Sequence, residues 1–350
     1  MSSAVAGSAA AGSAAAGSAV VVDAPGRHRV VPHEPVAPGP GEARVRVHAV
    51  GICGSDREVY QGNRPEGYVR YPLTPGHEWS GVVEAVGDAV PEALVGRKVV
   101  GEGFRNCQVC ERCHAGETTL CTHGYEETGF TQPGAMATTL TLPARLLHTL
   151  PDDADLTAAA LLEPAACIAA AALKAEALPG QRVGVVGTGT LGMFAVQFLA
   201  AASPAQLVCV GTRGERAALA RRFGASEFLL RTDVLPDDLD VVIETAGSAS
   251  AARTSAAMVR RGGRLVLTGI PAAGAAEGLD PTDLVVRQVE VRTVFGAAPD
   301  AWAHAVRMFG AGLLDPVPLV THEVPLGRFA EAIEWVGAGD PAVGKVLLRP

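Results

Sequence analysis

The sequence predicts an α/β protein of two domains, one β-rich and one a doubly wound parallel sheet. Before about Leu150, short apolar runs are separated by Gly and Pro, the punctuation of strands and turns. After Pro151, Ala-rich helical stretches alternate with Val-rich runs, the pattern of a parallel sheet with crossover helices. At 350 residues the chain also exceeds what a single hydrophobic core usually organises.

Composition narrows the class. Apolar residues make up 48% and charged residues 19%, the balance of a globular protein. A net charge of -8 offers no basic field for phosphate backbones, which argues against nucleic acid as a partner. The uncharged span from Val183 to Thr212 has the length of a membrane helix, but its repeated Gly and the Ser203-Pro204 break read better as a buried strand and helix. Seven cysteines, four of them within fifteen residues, indicate metal chemistry in a reducing compartment, with the cytoplasm as the expected location.

Residues 1–19 contain only Met, Ser, Ala, Val and Gly and are expected to form a disordered tail; no basic start marks a secretory signal. Strands are predicted at Ala43 to Val50, Gly81 to Val86, Arg97 to Val100 and Thr138 to Leu142. Between the last two, Cys107-x-x-Cys110-x-x-Cys113 and Cys121 supply four thiolates, enough to close a tetrahedral zinc site whose job is to pin a loop. The same thiols would suit an iron–sulfur cluster, a nucleic-acid-binding zinc ribbon or no ligand. A second, scattered set comprises Cys53, the Gly76-His77-Glu78 run and Glu163-Pro164. Mixed Cys, His and Glu ligands leave a coordination position for substrate or water, although each residue alone also reads as structural.

Helical character is expected from Leu156 to Ala177, Leu191 to Ala202, Glu215 to Phe223 and Ala249 to Arg260. The intervening strands are Val183 to Val186, Leu207 to Val210, Phe228 to Leu230, Asp240 to Glu244 and Arg264 to Thr268. Gly187-Thr188-Gly189-Thr190-Leu191-Gly192 leaves the first strand and opens a helix, the context in which such glycines bind a dinucleotide. The first permits the turn, the second lets a pyrophosphate approach and the third packs helix on strand. A Gly-rich turn without ligand is the plainer reading. The second strand ends in Gly211-Thr212-Arg213, without the carboxylate that would hold an NAD ribose, so Thr212 and Arg213, or Arg216, suit the 2′-phosphate of NADP. Ala246 and Gly269, just after two later strands, complete the expected cofactor set. Beyond Phe295, helices at Trp302 to Phe309 and Arg328 to Val336 and a strand at Lys345 to Leu348 close the chain.

Cys53-Gly54-Ser55-Asp56, Gly76-His77-Glu78, the four-cysteine run, Glu163-Pro164 and the Gly187 loop occur in the order and approximate spacing of the zinc-dependent medium-chain dehydrogenase/reductase family. The chain resembles that family over nearly everything after the tail. The resemblance implies a GroES-like catalytic domain at 20–155 and 297–350, a Rossmann cofactor domain at 156–296, an active site between them, and a homodimer or homotetramer. It implies Cys53 and His77 as catalytic zinc ligands, and Glu78 and Glu163 as ligand or as partner of the zinc-bound water, without deciding between them. Ser55 matches the hydroxyl that relays the alcohol proton. Glu58 stands where many members have His, and Ala170 where polyol dehydrogenases often have one, so the proton exit path departs from the usual pattern.

Glu163-Pro164 resembles the polyol dehydrogenase branch, and Tyr71 to Gly81 is similar to dehydrogenases of aminocyclitol antibiotic pathways. The expected function is hydride transfer between a secondary alcohol or ketone and NADP, with NAD as the alternative, using two zinc ions per chain. The rivals are an NADPH-dependent reductase of simple ketones and aldehydes, and a non-catalytic dinucleotide-binding protein with a structural zinc.

Overall fold

The computed structural model describes residues 17–271 and 278–350. The strand Gly17–Ala24 pairs antiparallel with Arg27–His33. The expected tail therefore ends earlier than its composition suggests: Gly17 to Ala19 lie in this strand because Ala19, Val20 and Val22 supply its buried side. Residues 1–16 of the expected tail lie outside the described residues.

The β-rich part is organised on Glu42–Gly51, which pairs antiparallel with Glu78–Val86, Thr139–Pro143 and the last strand, Lys345–Arg349. Lys98–Gly101 and Leu147–Thr149 extend one edge, and Val320–Pro325 extends the other, parallel to the last strand. Val45, Trp79, Leu142, Phe329 and Val346 share one core, so the end of the chain is built into the sheet formed at its beginning.

The second sheet has six parallel strands in the order Glu227–Leu230, Gln206–Gly211, Arg182–Val186, Leu239–Glu244, Val259–Leu267, Glu290–Thr293. Chain order reverses between Arg182–Val186 and Leu239–Glu244, which opens a crevice at their carboxyl ends. Leu162–Ala175, Thr190–Ala201 and Pro299–Gly310 cover one face, and Ala249–Met258 covers the other. Pro299–Gly310 packs on Leu162–Ala175, so the chain returns to the first sheet only at Val320–Pro325.

Several expected elements differ in extent. The helical stretch from Leu156 divides into Leu156–Ala159 and Leu162–Ala175, because the ring of Pro164 cannot sit opposite the carbonyl of Ala160 in a continuous helix. Glu215 to Phe223 forms a 3-10 turn, Gly214–Arg216, and a short helix, Ala217–Arg222. Ala249–Met258 passes directly into its strand at Val259. The strand Glu290–Thr293 and the helix Gly54–Gln61 are too short to show a period in sequence. Among the described residues no helix is long and apolar enough to cross a membrane.

Candidate active site and metal centres

Gly54–Gln61 starts at Cys53, and Asp56 caps it: the Cys53 N–H donates to Asp56 Oδ2 at 2.9 Å. The other oxygen, Oδ1, lies 3.5 Å from Nδ1 of His77. One buried carboxylate thus fixes the backbone of Cys53 and orients the ring of His77, leaving Nε2 toward Ser55 Oγ at 3.5 Å. Gly76 places His77: its φ is +100°, and a side chain there would strike Met136 and Val50. Burial works to lower the His77 pKa, but the nearby charge of Asp56 outweighs it and holds the imidazole well above its ordinary value.

Ligand atoms of Cys53, His77 and Glu78 lie within 4.8 Å of one another. Glu78 is already engaged, since Lys345 Nζ donates to its two oxygens at 2.7 and 2.6 Å. Glu163, in the first turn of Leu162–Ala175, is farther from that group but lines the same cavity. Burial pushes its carboxyl up to about 7, and among the described residues it accepts one hydrogen bond, from Cys167 Sγ at 3.6 Å. The donor chemistry fits zinc: a thiol and an imidazole close together, a carboxylate at the histidine's far nitrogen, and a half-buried acid on the same cavity wall. Ser55 Oγ, beside His77, is half-buried at the cavity edge. Glu58 is mostly exposed and faces Arg64, and Ala170 packs against the core and not the cavity.

The sulfurs of Cys107, Cys110, Cys113 and Cys121 also lie within 4.8 Å of one another. Backbone N–H groups of Val109 and Cys110 donate to Cys107 Sγ at 3.5 and 3.4 Å, and that of Cys107 donates to Cys121 Sγ at 3.5 Å. Such donors stabilise thiolate charge, and the closed, carboxylate-free set suits a tetrahedral structural zinc. The short helix Glu111–His114 and the turn Thr118–Leu120 supply little else to hold this loop.

In the second sheet, Gly187 turns the chain at φ +121°. Gly189 has open space where a side chain would sit, and Gly192 has none because Gly187 packs there. These three situations match the three jobs expected of the motif. A side chain at Gly211 would press on Thr188 and Phe228, which explains the missing carboxylate sterically. Thr188 to Thr190, Thr212, Arg213, Glu215 and Arg216 line a cavity of about 360 Å³ closed by residues 335–344. Arg213 Nη1 donates to the Gly339 carbonyl at 2.9 Å, and Arg216 Nη2 to that of Val343 at 3.5 Å.

Next to it lies a cleft of about 410 Å³ that contains Cys53, Ser55, His77, Glu78 and Glu163 on one side and Leu191, Thr245, Thr268 and Ile270 on the other. The two cavities share Gly189, Thr190, Val336 and Gly344, giving one trough that runs from the Gly187 turn to Cys53, His77 and Glu163. Ala246 and Gly269 sit just behind that wall, where the Ala246 N–H donates to the buried Glu244 at 2.7 Å. Lys345, Glu127, Arg64 and Phe130 also face the cleft. Sequence reasoning assigned none of these four a role, nor Asp56; only Asp56 stood inside a quoted motif, three residues beyond Cys53 and so on the same helical turn.

A doubly wound sheet whose crevice opens onto a Cys/His/carboxylate centre defines a zinc-assisted, nicotinamide-dependent oxidoreductase. Residues 39–152 match the family model of the alcohol dehydrogenase GroES-like domain, and residues 190–311 that of the zinc-binding dehydrogenase. A sorbitol dehydrogenase of Arabidopsis thaliana is 32% identical over 89% of this chain and 89% of its own length. An L-threonine 3-dehydrogenase of Anaeromyxobacter sp. (strain Fw109-5) is 30% identical over 89% and 92%. Among solved structures, a protein of Sinorhizobium meliloti 1021 bound to NADP superposes with a TM-score of 0.88, at 25% identity over 96% of this chain and all (100%) of that one. A thermostable alcohol dehydrogenase of Pyrobaculum aerophilum gives 0.85, at 30% identity over 95% and 99%. The chain belongs to the zinc-dependent medium-chain alcohol/polyol dehydrogenase family, and it is an enzyme acting on CH–OH donors.

Proposed function

We propose that the chain oxidises a secondary alcohol of a polyol or aminocyclitol, such as 2-deoxy-scyllo-inosamine, with NADP as acceptor. The observation that carries this reading is the convergence of Cys53, His77 and Glu163 on a cleft whose far wall is the nucleotide-binding crevice. Cys53, His77 and Glu163 would hold the catalytic zinc, with Glu78 already paired to Lys345. Zinc, when bound, supplies a Lewis acid that lowers the pKa of an alcohol oxygen toward neutrality. Asp56 keeps His77 Nε2 pointed at the site. Ser55 accepts the alcohol proton and passes it outward. Leu191, Thr245 and Thr268 orient the nicotinamide and exclude water, so the protein's share of the catalysis is positioning and electrostatics.

The preference for NADP rests on Thr212, Arg213 and Arg216 at the adenosine end and on the steric exclusion of a carboxylate from position 211. In this reading residues 20–155 and 297–350 form the catalytic part and 156–296 the cofactor part. All seven cysteines are free thiols, in keeping with a cytoplasmic enzyme. The deciding experiment is initial rates with NADP and NAD on a panel of polyols, aminocyclitols and simple secondary alcohols. Turnover confined to simple alcohols, or a preference for NAD, would refute the substrate or cofactor assignment respectively.

A further inference from the structure

Beside His77 the cleft carries a polar cluster that the hydride-transfer chemistry does not use. Phe130 lies against His77, with ring centroids 4.7 Å apart, and the guanidinium of Arg64 sits 3.9 Å from the Phe130 ring centre. Arg64 Nη2 is 3.8 Å from Glu127 Oε2 and donates to Tyr125 Oη at 2.8 Å; the Tyr125 hydroxyl in turn donates to Glu127 Oε2. Glu127 is therefore held by one oxygen only. Its Oε1 has no hydrogen-bond partner among the described residues, and the residue lines the cleft while being 6% exposed.

Arg64 also faces the exposed Glu58, Nη1 to Oε2 at 3.7 Å, so its charge is divided between two carboxylates. Arg64 Nε is spent on the Tyr68 carbonyl at 3.1 Å. Glu127, on the cleft wall, would repel a substrate carboxylate. A cationic donor fills the open acceptor of Glu127 and stabilises its ionised form.

We propose that Glu127 is a specificity-determining residue that accepts a hydrogen bond from an ammonium group on the substrate, selecting amino alcohols that lack a carboxylate. The inference rests on reading this cleft as the alcohol site. Burial already pushes the Glu127 carboxyl up to about 7, a cost that a bound cation relieves. A charge-assisted hydrogen bond in a cleft of this kind is worth about a tenfold to a hundredfold in affinity.

The test measures dissociation constants on the zinc-loaded enzyme saturated with NADPH, where no hydride can leave the alcohol, from the change in NADPH fluorescence. The ligands are trans-2-aminocyclohexanol, its counterpart trans-1,2-cyclohexanediol, and L-threonine. In wild type the amino alcohol should bind about tenfold or more tighter than the diol, and L-threonine more weakly than the amino alcohol. Glu127→Gln should bring the diol-to-amine ratio toward one, and Glu127→Asp should retain part of the preference. A wild-type ratio at or below one overturns the proposal whether or not either variant folds, as does a ratio unchanged in Glu127→Gln. Oxidation assays with NADP on the same ligands separate the two readings. If the amine preference holds but neither alcohol is oxidised, the proposed function fails and the role of Glu127 stands; oxidation of both without amine preference sinks only the role of Glu127.

Discussion

Lys345 Nζ donates to both carboxylate oxygens of Glu78, tying the last strand of the chain to the residue next to the histidine ligand. Lys345 also donates to the Ile52 carbonyl at 3.3 Å, one residue before Cys53. Both partners of the ion pair are almost fully buried, so removing one leaves a charge without water or counter-ion. Lys345→Met is expected to destabilise the protein by about 3–5 kcal/mol. It should also loosen zinc at the open site, since the support of both ligands is disturbed. Urea unfolding together with metal analysis reads both effects, and a variant of unchanged midpoint and metal content would show the pair to be incidental.

Asp56 offers a cleaner probe of the metal centre because it touches the ligands without being one. Asp56→Asn keeps the shape but weakens the hold on His77 Nδ1, and a roughly 10–100-fold loss of zinc affinity at the open site is expected. Competition with a chelator measures it. The four-thiolate site, whose nearest cysteine is fifty-one residues away in sequence, should keep its zinc.

Glu163 predicts a pH signature in the metal-free protein. Its folded pKa of about 7 stands above the ordinary 4.5, so the folded state binds its proton more tightly than the unfolded state does. The associated stability is complete below the unfolded value and is lost as pH rises through about 7. Glu163→Gln cannot ionise, and so its stability relative to wild type should rise across that window. Zinc saturation should reverse the order, because the wild-type carboxylate then gains a cation. Unfolding midpoints of both proteins with and without zinc check the sign, and parallel profiles would remove Glu163 as a ligand.

Cys110→Ala opens the four-thiolate site. A loop with so little secondary structure depends on its metal, and the variant should lose about one zinc per chain and unfold at lower temperature. A variant of full metal content and unaltered melting would assign the thiols no structural task.

Arg213→Gln and Arg216→Gln test the adenosine end. Each should raise KM for NADP by about tenfold or more while leaving KM for NAD within a factor of about three. Parallel losses for both cofactors would mean that the arginines serve instead to hold the Gly339 and Val343 carbonyls.

Sequence alone determined what is local. Two folds of different periodicity, the Gly187 turn and the four-cysteine run are all read within a few residues, because strand alternation, helix period and ligand spacing are short-range properties. The scattered candidates Cys53, His77, Glu78 and Glu163 were legible because each stands in a short motif, which left open which carboxylate would bind metal. Tertiary structure decided whatever depends on segments far apart in the chain. Only the pairing of Lys345–Arg349 with Glu42–Gly51 brings a lysine to Glu78, 267 residues away, and so engages a carboxylate that the sequence offered as a metal ligand. Only the packing of Phe130 on His77 brings Arg64 and Glu127 into the cleft. A buried charge acquires its meaning from its partner, and no spacing rule in a linear text identifies partners that the fold alone brings together.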